Sequence, residues 1–145
     1  MFIDQLTEAI NRTSPIVLGI DPNMDLIPTA LVPSNNESVQ SALASFVKVV
    51  IDSTDQLVPA VKFQAAYFEQ FGCAGVAALS TGVKYAKEKG LMVIMDAKRG
   101  DIGSTATAYA TAYITGETVL SNGAVLSSDL VSDAVTINPF LGEDS

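Results

Sequence analysis

Short apolar runs alternate along the chain with longer segments of helical character. Four runs are rich in β-branched residues or have the length of buried strands, namely residues 16–20, 60–63, 91–98 and 134–138. The segments between them predict helices over residues 38–57, 75–90 and 104–120, after an amphipathic N-terminal helix within residues 1–15. Strands that are apolar on both faces and alternate with helices are typical of a parallel sheet covered by helices.

This pattern fits two architectures, an open doubly wound sheet and part of a (β/α)8 barrel. A complete barrel takes about 250 residues, whereas the chain has 145 residues. An intact doubly wound domain more often finishes on a helix or an edge strand, and no helix is predicted after the last strand. The abrupt end after the fourth strand therefore indicates a fragment, and both architectures remain open at this point.

Charged residues lie at the ends of the first three predicted strands. Asp21 follows the first strand, and Lys62 lies near the end of the second. Asp96 and Lys98 end the third strand on one face, because side chains alternate along a strand. Each residue alone has a structural explanation as a turn former, a strand-end lysine or half of an ion pair. Their coincidence at the C-terminal rim, where parallel α/β folds bind ligands, favours a functional site.

Composition restricts the chemistry and the partners. The chain has no histidine and one cysteine, Cys73, which excludes an internal disulfide, Ser-His-Asp hydrolysis and His-ligated zinc. Its net charge is −8, so neither nucleic acid nor an anionic membrane is an expected partner. The N-terminus has no signal-peptide pattern and no apolar run is long enough to span a bilayer, so we expect a cytoplasmic protein.

Four segments together resemble a known family. DAKRGDIGST at residues 96–105 matches the signature D-x-K-x-x-D-I-x-x-T of orotidine 5'-phosphate decarboxylases. GIDP at 19–22, VKFQAAYFEQFG at 61–72 and NPFLGEDS at 138–145 agree with the longer, bacterial-type branch of that family. The ten-residue motif is specific, and the resemblance extends over essentially the whole chain.

The resemblance implies a fold and an activity. Family members are (β/α)8 barrels that act as homodimers, use no cofactor or metal, and convert orotidine 5'-phosphate to UMP and CO2 in pyrimidine biosynthesis. Residues 1–145 would then be the N-terminal part of a single barrel domain, with strands 1 to 4 and without the C-terminal half.

The resemblance also assigns catalytic roles. Asp21 and Lys62 would contact the ribose hydroxyls, Asp96 would face the substrate carboxylate, and Lys98 would donate the proton. Loss of CO2 leaves a carbanion, which needs a cation placed in advance and then a proton, and a lysine ammonium supplies both. The alternation of Lys62, Asp96, Lys98 and Asp101 keeps the lysines charged.

Four further residues receive roles in substrate binding or assembly. Asp101, Ile102 and Thr105 would reach across the dimer interface into the partner's site. Asn138 would face the pyrimidine from the fourth strand. The family also holds the substrate phosphate with an arginine late in the barrel, and neither arginine of this chain, Arg12 or Arg99, matches that position.

Three alternative functions remain open at this point. One is a Mg²⁺-dependent sugar-phosphate decarboxylase or aldolase of the same superfamily, although Lys62 would take the space that a metal needs. The second is a catalytically silent fragment that self-associates. The third is a phosphate-binding domain with an open sheet and no catalysis.

Overall fold

A computed structural model of the chain describes residues 1–33, 35 and 38–142. Parts of the predicted loop at 23–36 and the last three residues of the 138–145 segment lie outside the described residues. The helices are α1 (Phe2–Arg12), a 3-10 turn (Thr29–Leu31), α2 (Val39–Thr54), α3 (Ala65–Glu69), α4 (Gly72–Glu88), α5 (Gly103–Ala110) and a π-helix (Thr111–Thr115). The strands are β1 (Val17–Ile20), β2 (Ala60–Gln64), β3 (Met92–Arg99), β4 (Glu117–Val119), β5 (Val125–Ser127) and β6 (Ala134–Ile137).

The main sheet contains four parallel strands in the order β1-β2-β3-β6. Val17 pairs with Ala60, Ala60 with Met92, and Ile94 with Ala134, and the register is regular except between β3 and β6, where it shifts after Met95. Sequential strands are neighbours in space, as they are in a (β/α)8 barrel. The predicted parallel α/β fold is confirmed, and the C-terminal ends of all four strands lie at one rim.

The hydrophobic core lies between one face of this sheet and helices α2 and α4. Helix α2 buries Val39, Leu43, Val47 and Ile51, a spacing of four residues that places them on one stripe. They pack with buried strand residues such as Phe63, and the ring centroids of Phe63 and Phe68 are 6.0 Å apart in an edge-to-face arrangement. Within the described residues, no helix is long and apolar enough to cross a membrane.

The opposite face of the sheet is less covered. Along β3, Val93 and Met95 are completely buried, whereas Met92 and Ile94 are only partly buried. The two faces therefore alternate, with the odd-numbered positions against the helices and the even-numbered positions on the face that carries Lys62 and Asp96. The charged residues at the strand ends project from this more open face.

The helix predicted over 104–120 is confirmed as helical structure up to Thr115 and is wrong over residues 116–120. Helix α5 passes into a π-helix that ends at Gly116, whose φ of 79° is in the left-handed region. An added Cβ there would lie 2.6 Å from Cγ2 of Val131, so only glycine fits. An antiparallel hairpin of β4 and β5 follows, closed by a turn that contains Asn122 and Gly123.

The other differences from the predicted elements are small. The short helix α3 begins directly after β2 and was not predicted, and α4 begins at Gly72 rather than at residue 75. Strand β6 ends at Ile137, one residue before its predicted end. These differences do not change the number or order of the predicted parallel strands.

Candidate active site

The ends of β1, β2 and β3 bring the four predicted charged residues together. The parallel register places Gln64 of β2 beside Asp96 of β3, and Lys62 beside Ile94. Lys62 and Gln64 are two positions apart on β2 and therefore point to the same face of the sheet, because side chains alternate along a strand. Asp96 points to that face too, since it is the register partner of Gln64. The chain turns at Asp21 directly after β1, which leaves its carboxylate at the same rim.

Asp96 is the centre of the cluster. Its Oδ2 accepts hydrogen bonds from Lys62 Nζ at 3.0 Å and from Gln64 Nε2 at 2.8 Å. Its Oδ1 accepts from Lys98 Nζ at 2.6 Å and from Thr136 Oγ1 at 2.8 Å. Each carboxylate oxygen thus receives one ammonium donor and one neutral donor, which satisfies a charge that is 8% exposed.

These donors keep Asp96 ionised. The hydrogen bond from Lys98 lowers the pKa of Asp96 most, and burial opposes it by raising the pKa. The hydrogen bonds from Lys62 and Thr136 add to the lowering, so that the pKa of Asp96 lies well below its usual range. Asp96 is therefore a carboxylate at any physiological pH.

The two lysines differ in their exposure. Lys62 lies between two carboxylates, with its Nζ 3.0 Å from Asp96 Oδ2 and 3.9 Å from Asp21 Oδ1, and its side chain is 31% exposed. The side chain of Lys98 is 65% exposed although its partner Asp96 is only 10% exposed. Lys98 is therefore the more exposed of the two lysines that bind Asp96.

The backbone around Lys98 is irregular. In the pairing of β3 with β6, Met95 lies opposite Val135 and Arg99 lies opposite Ile137, so β3 has two additional residues in this interval. Lys98 has a φ of 49°, in the left-handed region that residues with a Cβ rarely adopt.

Asp101, Ile102 and Thr105 lie apart from this cluster. The carboxylate of Asp101 accepts a hydrogen bond from the Ile102 backbone N–H at 2.8 Å. The Ile102 side chain is 54% exposed, and Thr105 is exposed in the first turn of α5. Among the described residues, no ion pair joins Asp101 to a lysine. Their predicted contacts across a subunit interface stay predictions.

Asn138 lies just beyond β6 rather than within it. Its backbone N–H donates to the carbonyl of Arg99 at 2.8 Å, and its side-chain oxygen accepts from the Phe140 N–H at 3.3 Å. It packs beside Gly100, where an added Cβ would lie 2.9 Å from the Asn138 carbonyl oxygen. Its predicted contact with a pyrimidine base stays a prediction.

Both arginines are engaged elsewhere. Arg12 pairs with Glu8 on α1 at 2.8 Å. The guanidinium of Arg99 pairs with Glu69 at the end of α3 and donates to the carbonyl of Ala97 at 3.0 Å. Both guanidinium groups therefore have a carboxylate partner within the chain.

Sequence reasoning missed two contributors, Gln64 and Thr136. Each lies two positions from a predicted site residue: Gln64 follows Lys62 by two positions, and Thr136 precedes Asn138 by two. Because side chains two positions apart on a strand point to the same face, this spacing was the signal that could have identified them. Neutral polar residues at strand ends are common, however, and only the register shows that both donate to Asp96.

Two carboxylates, Asp21 and Asp96, flank Lys62 in the cluster. No group of three or more His, Cys, Asp or Glu side chains suited to a metal ion occurs in the part of the chain that the structure describes. The position between the two carboxylates is taken by an ammonium group. The arrangement can hold a cation at a fixed place and present a second one, Lys98, to a bound anion.

The chain thus has a parallel α/β sheet with paired lysines and aspartates at its C-terminal rim, the rim at which (β/α)8 barrels place their active sites. A family model described as "Orotidine 5'-phosphate decarboxylase / HUMPS family" matches residues 14–145. The chain belongs to this family, which confirms the resemblance seen in its motifs.

Individual relatives agree with the family assignment. The chain is 44% identical over 149 residues to orotidine 5'-phosphate decarboxylase of Rhodopirellula baltica, covering 99% of this chain and 47% of the relative. It is 34% identical to that of Clostridium novyi, covering 100% of this chain and 46% of the relative. The chain thus spans about half the length of the curated relatives it matches.

Solved structures show the same relation. A crystal structure of a proposed orotidine 5'-phosphate decarboxylase from Streptomyces avermitilis superposes with a TM-score of 0.78 at 37% identity, over 98% of this chain and 45% of that one. Leishmania donovani UMP synthase matches with a TM-score of 0.72 at 33% identity, over 99% of this chain and 26% of that one. The predicted barrel-family fold is confirmed, with this chain corresponding to about half of the Streptomyces avermitilis chain and about a quarter of the UMP synthase chain.

Proposed function

We propose that this chain carries the catalytic lysine–aspartate array of an orotidine 5'-phosphate decarboxylase, which forms UMP and CO2. The observation that carries the proposal is the hydrogen-bonded array of Lys62, Asp96 and Lys98 at the C-terminal rim, in which Lys98 Nζ lies 2.6 Å from Asp96 and the Lys98 side chain is largely exposed. The reaction is inferred from the names of the relatives, and the array contains the charged groups that this reaction needs.

The chemistry needs one proton and one fixed positive charge. The bond between ring carbon C6 and the carboxylate breaks, CO2 leaves, and the electron pair stays on C6. The Lys98 ammonium then donates a proton to C6 and is left as a neutral amine, which regains a proton from water. Before that transfer the same ammonium stabilises the developing negative charge, an effect that is strongest when the cation is already in place.

Asp96 has two tasks in this proposal. It faces the departing carboxylate, and it fixes both ammonium groups through its two oxygens. Its lowered pKa keeps it anionic throughout. Lys62, held between Asp21 and Asp96, completes the array, and Asp21 and Lys62 bind the ribose hydroxyls.

The remaining assignments complete the proposed enzyme. Residues 1–145 act as the first four βα units of a single barrel, in a cytoplasmic homodimer that needs no cofactor or metal. Asp101 takes part in the partner subunit's site together with Ile102 and Thr105. Asn138 contacts the pyrimidine.

The Mg²⁺-dependent sugar-phosphate alternative is less well supported by the geometry. In that reading a metal would lie near Asp21 and Asp96. The Lys62 ammonium lies there instead, 3.0 Å from one carboxylate and 3.9 Å from the other. Activity that survives a chelator would favour the decarboxylase, and activity that is lost and then restored by Mg²⁺ would favour the alternative.

A fusion protein tests the proposed function. Residues 1–145 are joined to the remaining half of the Rhodopirellula baltica relative, and UMP formation from orotidine 5'-phosphate is followed. We expect turnover, and we expect Lys98→Ala to reduce kcat by at least about a thousandfold because it removes the proton donor and the cation together.

The matched control is Lys84→Ala, which removes an exposed lysine of α4 far from the rim. Its kcat should stay at the level of the unmodified fusion. A folded fusion in which Lys98→Ala retains near-normal turnover would contradict the role of Lys98. A fusion that folds and binds UMP but forms none would contradict the proposed reaction.

A further inference from the structure

The interruption of the ladder between β3 and β6 leaves the Lys98 backbone without a regular strand partner. Between the pairs Met95–Val135 and Arg99–Ile137, β3 advances four residues while β6 advances two. Lys98, with a φ of 49°, is the only residue other than glycine with a positive φ in the described part of the chain. Such a conformation persists only where surrounding contacts hold it.

Thr136 supplies the missing partner. Its Oγ1 accepts a hydrogen bond from the Lys98 backbone N–H at 3.0 Å. The same oxygen carries the hydroxyl proton that is donated to Asp96 Oδ1 at 2.8 Å. A single side chain therefore contacts the backbone of the exposed lysine and the carboxylate that binds its ammonium.

The direction of both hydrogen bonds is fixed by chemistry. A backbone N–H can only donate, so the Thr136 oxygen must accept from Lys98. An ionised carboxylate can only accept, so the hydroxyl proton must point to Asp96. The hydroxyl is thus used in both of its capacities, and neither a methyl group nor a hydrogen can replace it.

The geometry points to Thr136 as a positioning residue for the Asp96–Lys98 pair. We propose that its hydroxyl locks the irregular end of β3, so that the Lys98 backbone and the Asp96 carboxylate keep a fixed position relative to each other and the Lys98 side chain starts from a fixed place. The consequence for catalysis rests on the proposed decarboxylase function, whereas the locking of the two residues does not.

The alternative is that Thr136 only fills space in β6. Thr136→Val separates the two, because valine has nearly the same shape and the same preference for strands but lacks the hydroxyl. Thr136→Ser keeps the hydroxyl and loses a methyl group. A space-filling role predicts that Val is tolerated and Ser is harmful, and a positioning role predicts the reverse.

The test uses the chain itself and two NMR measurements. The first is hydrogen exchange of the Lys98 amide, which should be protected in the native chain and in Thr136→Ser but not in Thr136→Val. The second is a pH titration of the Asp96 side-chain carboxyl. Its pKa should rise in Thr136→Val, because a hydrogen bond to the charged form is lost, and stay low in Thr136→Ser.

Thr118→Val is the matched control, since it makes the same substitution in the exposed strand β4. It should change neither measurement. If Thr136→Val does not fold, exchange in the native chain still decides, because an unprotected Lys98 amide would overturn the proposal. Equal Asp96 titrations in Thr136→Val and the native chain would overturn it as well.

The two proposals fail separately. If the NMR results are as expected while the fusion protein forms no UMP, the positioning of Asp96 and Lys98 stands and the decarboxylase assignment falls. If UMP is formed but Thr136→Val leaves exchange and titration unchanged, the function stands and Thr136 has no positioning role.

Discussion

The pairing of Asp96 with Lys98 is asymmetric in a way that suits a reaction better than a structural ion pair. Asp96 is nearly buried, whereas the side chain of Lys98 is 65% exposed. Asp96 accepts four hydrogen bonds, and Lys98 donates only one of them. If Lys98 turns to a substrate, Lys62, Gln64 and Thr136 still satisfy the carboxylate. The exposed lysine can therefore move without leaving a buried charge unpaired, which would be unfavourable.

This asymmetry predicts different effects on stability for the two lysines. Lys98→Ala should lower the free energy of unfolding by less than about 1 kcal/mol, because the lysine itself is exposed and Asp96 keeps its three other hydrogen-bond donors. Lys62→Ala removes the less exposed cation, which lies between Asp21 and Asp96. It should cost about 1–3 kcal/mol, because two carboxylates lose their common partner. Urea unfolding of both variants checks this, and equal losses would contradict it.

Glycine is required in α4 for a steric reason. A Cβ added at Gly75 would lie 1.8 Å from the carbonyl oxygen of Phe68, so Gly75 allows α3 and α4 to approach each other. A Cβ at Gly82 meets only side-chain atoms, at 3.0–3.3 Å. We expect Gly75→Ala to lower the free energy of unfolding by about 1–3 kcal/mol or more despite the better helix propensity of alanine.

Gly82→Ala serves as the comparison, since both residues lie inside the same helix. Its effect should be clearly smaller, because side chains adjust more easily than a backbone carbonyl. Denaturant unfolding of the two variants measures the difference. A Gly75→Ala protein as stable as Gly82→Ala would show that α3 and α4 are not in the close contact described.

At the scale of single residues, sequence alone predicted the charges of the site and not the groups that hold them. Alternation along β3 placed Asp96 and Lys98 on one face. It did not predict the two additional residues of β3 opposite β6, because such an irregularity depends on the partner strand. The role of Thr136 depends on that irregularity and was therefore not visible in the sequence.

Helices α2 and α4 are joined on their outer side by a network of charged groups. Asp52 accepts from Lys48 Nζ at 2.5 Å and from the Tyr85 hydroxyl at 2.5 Å, and it pairs with Lys89 Nζ at 2.9 Å. Lys89 also pairs with Asp55 at 3.1 Å. The Lys48 hydrogen bond, followed by those from Tyr85 and Lys89, holds the pKa of Asp52 well below its usual range.

The lowered pKa of Asp52 predicts part of the acid sensitivity of the chain. The folded chain binds a proton at Asp52 less readily than the unfolded chain does. The contribution of Asp52 to the free energy of unfolding is therefore fully present above its unfolded pKa of about 4, and it is lost as pH falls towards the folded pKa. Asp52→Asn should therefore be less stable than the native chain at pH 7, and its stability should fall less between about pH 5 and pH 3.

Urea unfolding at a series of pH values tests this expectation. Asp25→Asn is the control, because Asp25 is an exposed carboxylate in the loop after β1, away from the network. It should leave the pH dependence as in the native chain. Parallel pH profiles for Asp52→Asn and the native chain would show that the network makes no contribution of this kind.

At the scale of elements, periodicity predicted the strands of the main sheet and failed after the π-helix, from Gly116 onwards. The residues before Gly116 have helical character, and the prediction continued the helix through a glycine that ends it. The signals of the hairpin were present, since Asn122-Gly123 separates two short runs that contain β-branched valine. A local pattern of three residues on each side is too short to outweigh the preceding helix.

The whole molecule is an open sheet with unpaired edges. In the main sheet β1 and β6 each have one strand neighbour among the described elements. Apolar side chains are exposed near the β6 edge, with Ile137 at 60% and Phe140 at 90%. Unpaired edges and exposed apolar residues are unfavourable in isolation, and a barrel removes them by closing the sheet.

The proposed dimer predicts complementation between two inactive variants. In the fusion protein, Asp101→Ala and Lys98→Ala should each be inactive as homodimers. If Asp101 acts in the partner's site, a mixed dimer has one site with both native residues. Random pairing should then restore about one quarter of native activity, because about half of the dimers are mixed and each has one intact site of two.

The measurement is UMP formation after the two variants are dissociated together and reassembled. A mixture of Lys98→Ala with Lys62→Ala is the comparison, because both of these residues lie in the same cluster of one chain. That mixture should stay inactive. Mixed dimers of the Asp101→Ala and Lys98→Ala variants that form without regaining activity would show that Asp101 acts in its own subunit.

The last prediction concerns a polypeptide of residues 1–145 assayed alone, which we expect not to turn over orotidine 5'-phosphate. The binding energy of a remote phosphate group normally serves the chemical step, and both arginines are paired, Arg12 with Glu8 and Arg99 with Glu69. The test compares UMP formation by this polypeptide and by the fusion protein at equal concentrations. Comparable turnover would contradict the prediction and would direct attention to the backbone N–H groups at the start of α5, near Gly103 and Ser104, as the phosphate-binding groups.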